Sequence, residues 1–100
     1  MSKPLIVGAE AEVDVGEAYG WYEDQRPGLG AQFVLCVEAV IASIERNPRI
    51  YPIIYRGIVR RALTQRFPYA VFFVEGEQSV VVIGVIHAKR NPRVWQDRAR

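Results

Sequence analysis

One cysteine, one histidine and two lysines make up this 100-residue chain's whole supply of three reactive side-chain types. A single Cys36 excludes an internal disulfide. With only His87 to join it, no metal site is expected. Cys36 stands among apolar residues in a helical pattern, so it reads as a buried, inert thiol. No apolar run approaches the roughly 20 residues that span a bilayer, so no membrane association is expected. The segment Met1-Ser2-Lys3-Pro4-Leu5-Ile6-Val7 lacks a signal peptide's apolar region and cleavage site, and a cytoplasmic location is expected. No internal repeat, linker or low-complexity segment breaks the chain, and residues 1–100 read as a single domain. Gly28-Leu29-Gly30 lacks a third glycine and follows no strand. It is a helix-entry turn rather than a phosphate loop, and no cofactor is expected.

Hydrophobic residues are plentiful, at 50% of the chain, which excludes a disordered polymer. The net charge of +2 conceals a division. Residues 1–45 hold two bases and eight acids, whereas residues 46–100 hold eleven bases, all arginine except Lys89, and three acids. Such a split predicts a basic face for an acidic partner or nucleic acid. Arginine favours planar, bidentate contacts. The plainer alternative is a solvated strand face balanced by acidic helices nearby.

Apolar periodicity locates the elements. Leu5-Ile6-Val7 after Pro4 predicts an edge strand. Ala11, Val15, Ala18 and Tyr22 form one stripe of an amphipathic helix from Ala9 to near Gln25, stopped by Arg26-Pro27-Gly28. Glu10, Glu12 and Asp14 suit its positive N-terminal end. Phe33, Val37, Val40, Ile41 and Ile44 give a second helix, ended by Asn47-Pro48. The short link between the two predicts an antiparallel helical hairpin. Then come β-like runs: Tyr51–Tyr55 leading through Arg56-Gly57 to Ile58–Leu63, next Tyr69–Val74, and last Val80–Ile86. Short polar links between them predict an antiparallel meander. Pro92 closes the last strand, and residues 93–98 predict one helical turn. The expected fold is α+β, in the order β-α-α-β-β-β, with the helical hairpin packed on a small antiparallel sheet.

Five pieces of the chain, taken in order, carry a resemblance: Trp21-Tyr22-Glu23; Gly28-Leu29-Gly30 with Phe33; Asn47-Pro48 with Tyr51-Pro52; Arg66-Phe67-Pro68-Tyr69; and His87, Arg90-Asn91-Pro92, Trp95 and Arg98. At these spacings the chain resembles the ParE branch of the ParE/RelE superfamily, the toxins of bacterial type II toxin–antitoxin pairs and of plasmid stabilisation. The resemblance implies a toxin held inactive by a cognate antitoxin. That antitoxin would be a ParD-like, DNA-binding dimer whose acidic C-terminal tail folds along the toxin. It also implies one of two targets. ParE-type members poison DNA gyrase, and RelE-type members cut messenger RNA on the ribosome.

The residues themselves bear on that choice. Metal-free RNA cleavage needs a base near the 2′-hydroxyl, cations on the phosphate and an acid for the leaving oxygen. RelE-like nucleases supply these with lysines and arginines on the sheet and a tyrosine near the C-terminus. Here that neighbourhood holds Trp95, whose indole only donates. The place of their middle-strand arginine falls around Ala70 here, and residues 46–66 contain no lysine. The expectation is a non-hydrolytic gyrase poison that meets nucleic acid only through its target or complex. A ribosome-dependent ribonuclease using Arg61, Arg66 and Arg90 is the alternative, and a non-toxic, degenerate antitoxin-binding subunit is the third reading. The expected target-binding residues are His87, Arg90, Arg93, Trp95 and Arg98. The expected antitoxin-binding residues are Val34, Leu35, Arg60, Arg61 and Arg66.

Each has a plainer role beside the functional one. His87 is either a titrating base or a hydrogen-bonded strand end. Arg90 either meets an acidic group or caps the sheet edge. Trp95 either stacks on a partner or folds back to seal the core. Arg60 and Arg61 are neighbours on a strand and must point to opposite faces. Trp21 and Tyr22 read as helix–sheet packing. Val34, Leu35 and Ala42 leave the second helix apolar on more than one side, which fits a central core position or a groove awaiting an antitoxin segment.

Overall fold

Gly8 turns the chain from its first strand into its first helix, and its N–H donates to the Val82 carbonyl at 2.9 Å. The computed structural model of the chain describes residues 3–99. Strand β1 is Leu5–Val7 and helix α1 is Ala9–Gln25. Helix α2 runs Leu29–Arg46, and a 3₁₀ turn follows at Pro48–Ile50. Strands β2 (Ile53–Tyr55), β3 (Val59–Leu63), β4 (Tyr69–Glu75) and β5 (Val80–His87) come next, then the short helix α3, Arg93–Gln96. The helix bounds match the expected breaks at Arg26-Pro27-Gly28 and Asn47-Pro48.

The helical hairpin closes through one carboxylate. Glu23 Oε1 accepts from the N–H groups of Gly28 and Gly30, each at 2.9 Å. Those donors open α2 and have no partner within the helix. Gly28 has φ +91°, and a Cβ on Gly30 would sit 2.6 Å from the Tyr19 carbonyl oxygen. So the turn needs glycine at 28 for its backbone angle, and the close crossing of the helices needs glycine at 30.

The five strands form one sheet in the order β1-β5-β4-β3-β2. Strands β2 to β5 are the expected antiparallel meander. Two details differ from the sequence reading. β1 joins β5 in parallel, so the sheet is mixed. The single run expected from Tyr51 to Leu63 is a hairpin of two strands. Its turn residues Arg56 and Gly57 both have positive φ, 50° and 72°, and Ile58 N–H bonds the Tyr55 carbonyl at 3.0 Å. Two-residue hairpins prefer this geometry, but with Asn or Asp ahead of Gly. An arginine in that place hides the turn. The Arg56 guanidinium lies 5.1 Å from the Tyr55 ring centroid.

The sheet has a core on each face. Against the helices pack Phe33, Val37 and Ile44 of α2, Ala18 and Tyr22 of α1, and Ala62, Val71, Phe73, Val82 and Val85 of the sheet. Tyr22, Phe33, Phe67 and Tyr69 form an aromatic cluster with ring centroids 4.9–6.1 Å apart. The opposite face carries Val59, Ala70, Phe72 and Ile86 under Trp95.

β1 is too short to cover β5, and polar side chains replace the missing strand. Pairing ends at Val7–Val82. Beyond it Val85 N–H donates to Asp14 Oδ2 at 3.0 Å, and the Ile83 carbonyl accepts from Arg98 Nη1 at 3.1 Å. Arg98 also grips Asp14 at 2.6 and 3.2 Å and lies 3.4 Å from Glu10. The Asp14 bond, then the charges of Asp14 and Glu10, push the Arg98 pKa above its ordinary value against the effect of burial. A bulge at Ile83 puts Gly84 beneath this pair. A Cβ there would meet Arg98 Nη1 at 3.1 Å. The end of the chain is thereby tied to α1.

Candidate functional site

The strand β5 ends at His87, whose ring meets the Tyr69 ring edge-on at 5.2 Å. His87 Nδ1 accepts the Lys89 N–H at 3.0 Å. In the neutral ring that bond engages the Nδ1 lone pair and places the proton on Nε2. Burial raises the Tyr69 pKa; Tyr22 and Asp14 add to the rise, and Arg90 opposes it. The phenol is therefore a proton-bearing donor at neutral pH. Trp21, Glu17, Tyr69, His87 and Arg90 line a cleft of about 180 Å³ here. Trp21, read from sequence as packing, is 59% exposed, whereas Tyr22 is buried.

Beyond His87 lies a cationic rim. Lys89, Arg90 and Arg93 are exposed, and their side chains make no hydrogen bond or ion pair among the described residues. Arg93 is presented by α3, where Asn91 Oδ1 accepts the Arg93 N–H at 3.0 Å. The other two expected target residues turn inward. Trp95 is buried, stacked on Phe72 at 4.4 Å and edge-on to Tyr55 at 5.4 Å. Arg98 is the tie to Asp14 already described. Thus Trp95 is the seal of the second core, and Arg98 holds the chain end in place.

The residues expected to meet an antitoxin also divide. Arg60 points to the helix side, where Nη1 donates to the Tyr51 carbonyl at 2.7 Å. Its neighbour Arg61 lies on the opposite face and is exposed. Arg66 has φ 73° and donates to Gln32 Oε1 of α2 at 3.0 Å. Arg61, Arg66 and Arg90 therefore sit at separate places: the sheet face away from the helices, the β3–β4 turn beside α2, and the chain beyond β5. Leu35 is 64% exposed on α2. Val34 lines a groove of about 490 Å³ with Val7, Val15, Val37, Ile41 and Ala42, edged by Glu12, Glu38 and Glu45.

Several contributors had no role in the sequence reading. Asp14 was legible only as a helix-dipole complement, because its partner Arg98 is 84 residues away. Glu23 stood in a motif without a stated contact. The glutamates along the groove follow the spacing of the apolar positions they flank, Glu38 and Glu45 two turns apart on α2. Among the described residues no helix is long and apolar enough to cross a membrane, and no three His, Cys, Asp or Glu side chains are grouped as a metal site would need.

Comparison with known proteins fits this geometry. Residues 5–92 match the family model described as the ParE toxin of the type II toxin–antitoxin system parDE. Curated protein sequences give no match. Among solved structures the fold is similar to a chain of the chromosomal ParDE toxin–antitoxin system from P. aeruginosa. The TM-score is 0.77 at 16% identity, over 86% of this chain and 96% of that one. The family match spans nearly the whole described chain, so this protein belongs to the ParE toxin family of type II toxin–antitoxin systems.

Proposed function

We propose that the chain is a toxin that works by docking onto DNA gyrase and stabilising its cleavage complex with DNA, and that a ParD-like antitoxin neutralises it. The observation that carries this reading is the covered sheet face. Where a nuclease would expose phosphate-binding and proton-transfer groups, Trp95 lies stacked on Phe72. His87 Nδ1 accepts the Lys89 N–H. The cations exposed here are Arg61, Lys89, Arg90 and Arg93. Such groups bind acidic surfaces and phosphates through charge-assisted hydrogen bonds. None is placed as a general base.

Induction of the chain without antitoxin tests the reading. The expected result is accumulating double-strand breaks with induction of the DNA-damage response. Intact DNA with messages truncated on ribosomes contradicts it and returns the ribonuclease alternative.

A further inference from the structure

The apolar groove beside β1 has an edge of one sign. Val7 of β1, Val15 of α1, and Val34, Val37, Ile41 and Ala42 of α2 form its floor and walls. Glu12, Glu38 and Glu45 are its charged lining residues, and no Lys, Arg or His lines it. All three glutamates are exposed. Among the described residues none of them takes part in an ion pair or a side-chain hydrogen bond. Glu45 also borders the neighbouring cavity with Lys3, Arg46 and Arg49, yet in that cavity Lys3 and Arg49 pair with Glu75 instead. Glu38 and Glu45 are seven residues apart on one helix, a rise of about 10 Å.

An acidic segment laid here would meet like charge on both sides. We infer that the groove receives a basic amphipathic segment of the antitoxin, with aliphatic anchors flanked by Lys or Arg. This rests on the toxin–antitoxin reading and deepens it. The two exposed surfaces then ask opposite things of a partner. The arginine rim takes acids, and the groove takes bases about 10 Å apart, spaced as residues i and i+7 of a helix. Apolar burial supplies affinity, and charge selects the segment and suppresses the wrong one. The free edge of β1 runs beside the groove.

The test is selection of a randomised 15-residue displayed peptide library on the intact chain. Clones are scored for loss of binding to Ile41→Asp, which blocks the groove, and to Val34→Asp, a milder block should the first variant unfold. The expected groove-dependent clones pair Leu, Ile or Val with Lys or Arg. They should bind at least tenfold more weakly to a Glu12→Gln, Glu38→Gln, Glu45→Gln variant, and should weaken further in added salt. Acidic or neutral groove-dependent clones, indifference to the triple variant, or no groove-dependent clone at all overturns the inference. Co-purification of the neighbouring gene product with the chain is scored separately. Its presence keeps the toxin–antitoxin reading even when the groove shows no preference for bases.

Discussion

The two faces of the sheet are covered in different ways. One lies under two long helices, with Phe33 and Phe73 fully buried between layers. The other lies under a few residues after β5, with Trp95 as the main lid. The thick side is a core in the ordinary sense. The thin side is a seal, held by one aromatic stack and by the Arg98–Asp14 tie. The exposed Lys89, Arg90 and Arg93 branch from the thin side, so its integrity and the placement of the cationic rim are coupled.

Breaking the thick side should cost most. Phe73→Ala should destabilise by about 3–5 kcal/mol, close to the whole stability of a small domain, and thermal melts should show a chain largely unfolded at 37 °C. On the thin side, Trp95→Ala should lose about 3 kcal/mol. It should also abolish toxicity, and Trp95→Phe should restore much of both if the indole is a lid rather than a contact. Toxicity lost equally in Trp95→Phe, at normal stability, would make the indole a contact residue.

A smaller effect sharpens the contrast. Arg98→Ala leaves Asp14 and the Ile83 carbonyl without their guanidinium partner. The expected loss is about 2 kcal/mol, with amide exchange increased from Val94 to Ala99 but unchanged in α2. Uniform exchange across both regions would mean that the tie does not anchor the chain end.

Motifs that carry the family resemblance turn out to be mostly structural. Tyr22, Phe33, Phe67 and Tyr69 make the aromatic cluster, Glu23 and Gly30 close the hairpin, and Tyr51 bonds Ser43 at 2.6 Å. This is why the element order and hairpin were readable from spacing: local periodicity and helix punctuation are properties of nearby residues. The parallel place of β1 was not, because pairing Leu5 with Val80 is a long-range choice. Nor were the fates of the arginines. Arg60 and Arg61 look alike in sequence, and only the strand's alternation, anchored by Ala62 in the helix-side core, sends one to a carbonyl and the other to solvent. Exposure of Trp21 beside buried Tyr22 likewise depends on where α1 meets the sheet.

The weakest expected effect concerns pH. Glu75 accepts from Arg49 at 3.2 Å and from Lys3 at 3.2 Å. Hydrogen bonds from these two, Arg49 first, hold its carboxyl below the ordinary carboxylate value. A lowered native pKa means the carboxylate's contribution is present above the unfolded-state value and is lost as pH falls through the native one. Glu75→Gln should therefore cost under about 1 kcal/mol at neutral pH and flatten the acid limb of the stability curve. Parallel acid limbs for the two proteins would remove Glu75 from the account.

The most direct test of docking without bond cleavage uses the purified chain, gyrase and supercoiled plasmid. The account predicts that the chain accumulates gyrase-linked, cleaved DNA, and that Arg90→Glu removes this activity while the melting curve stays unchanged. Unaltered plasmid beside site-specific cuts in ribosome-bound message would contradict it.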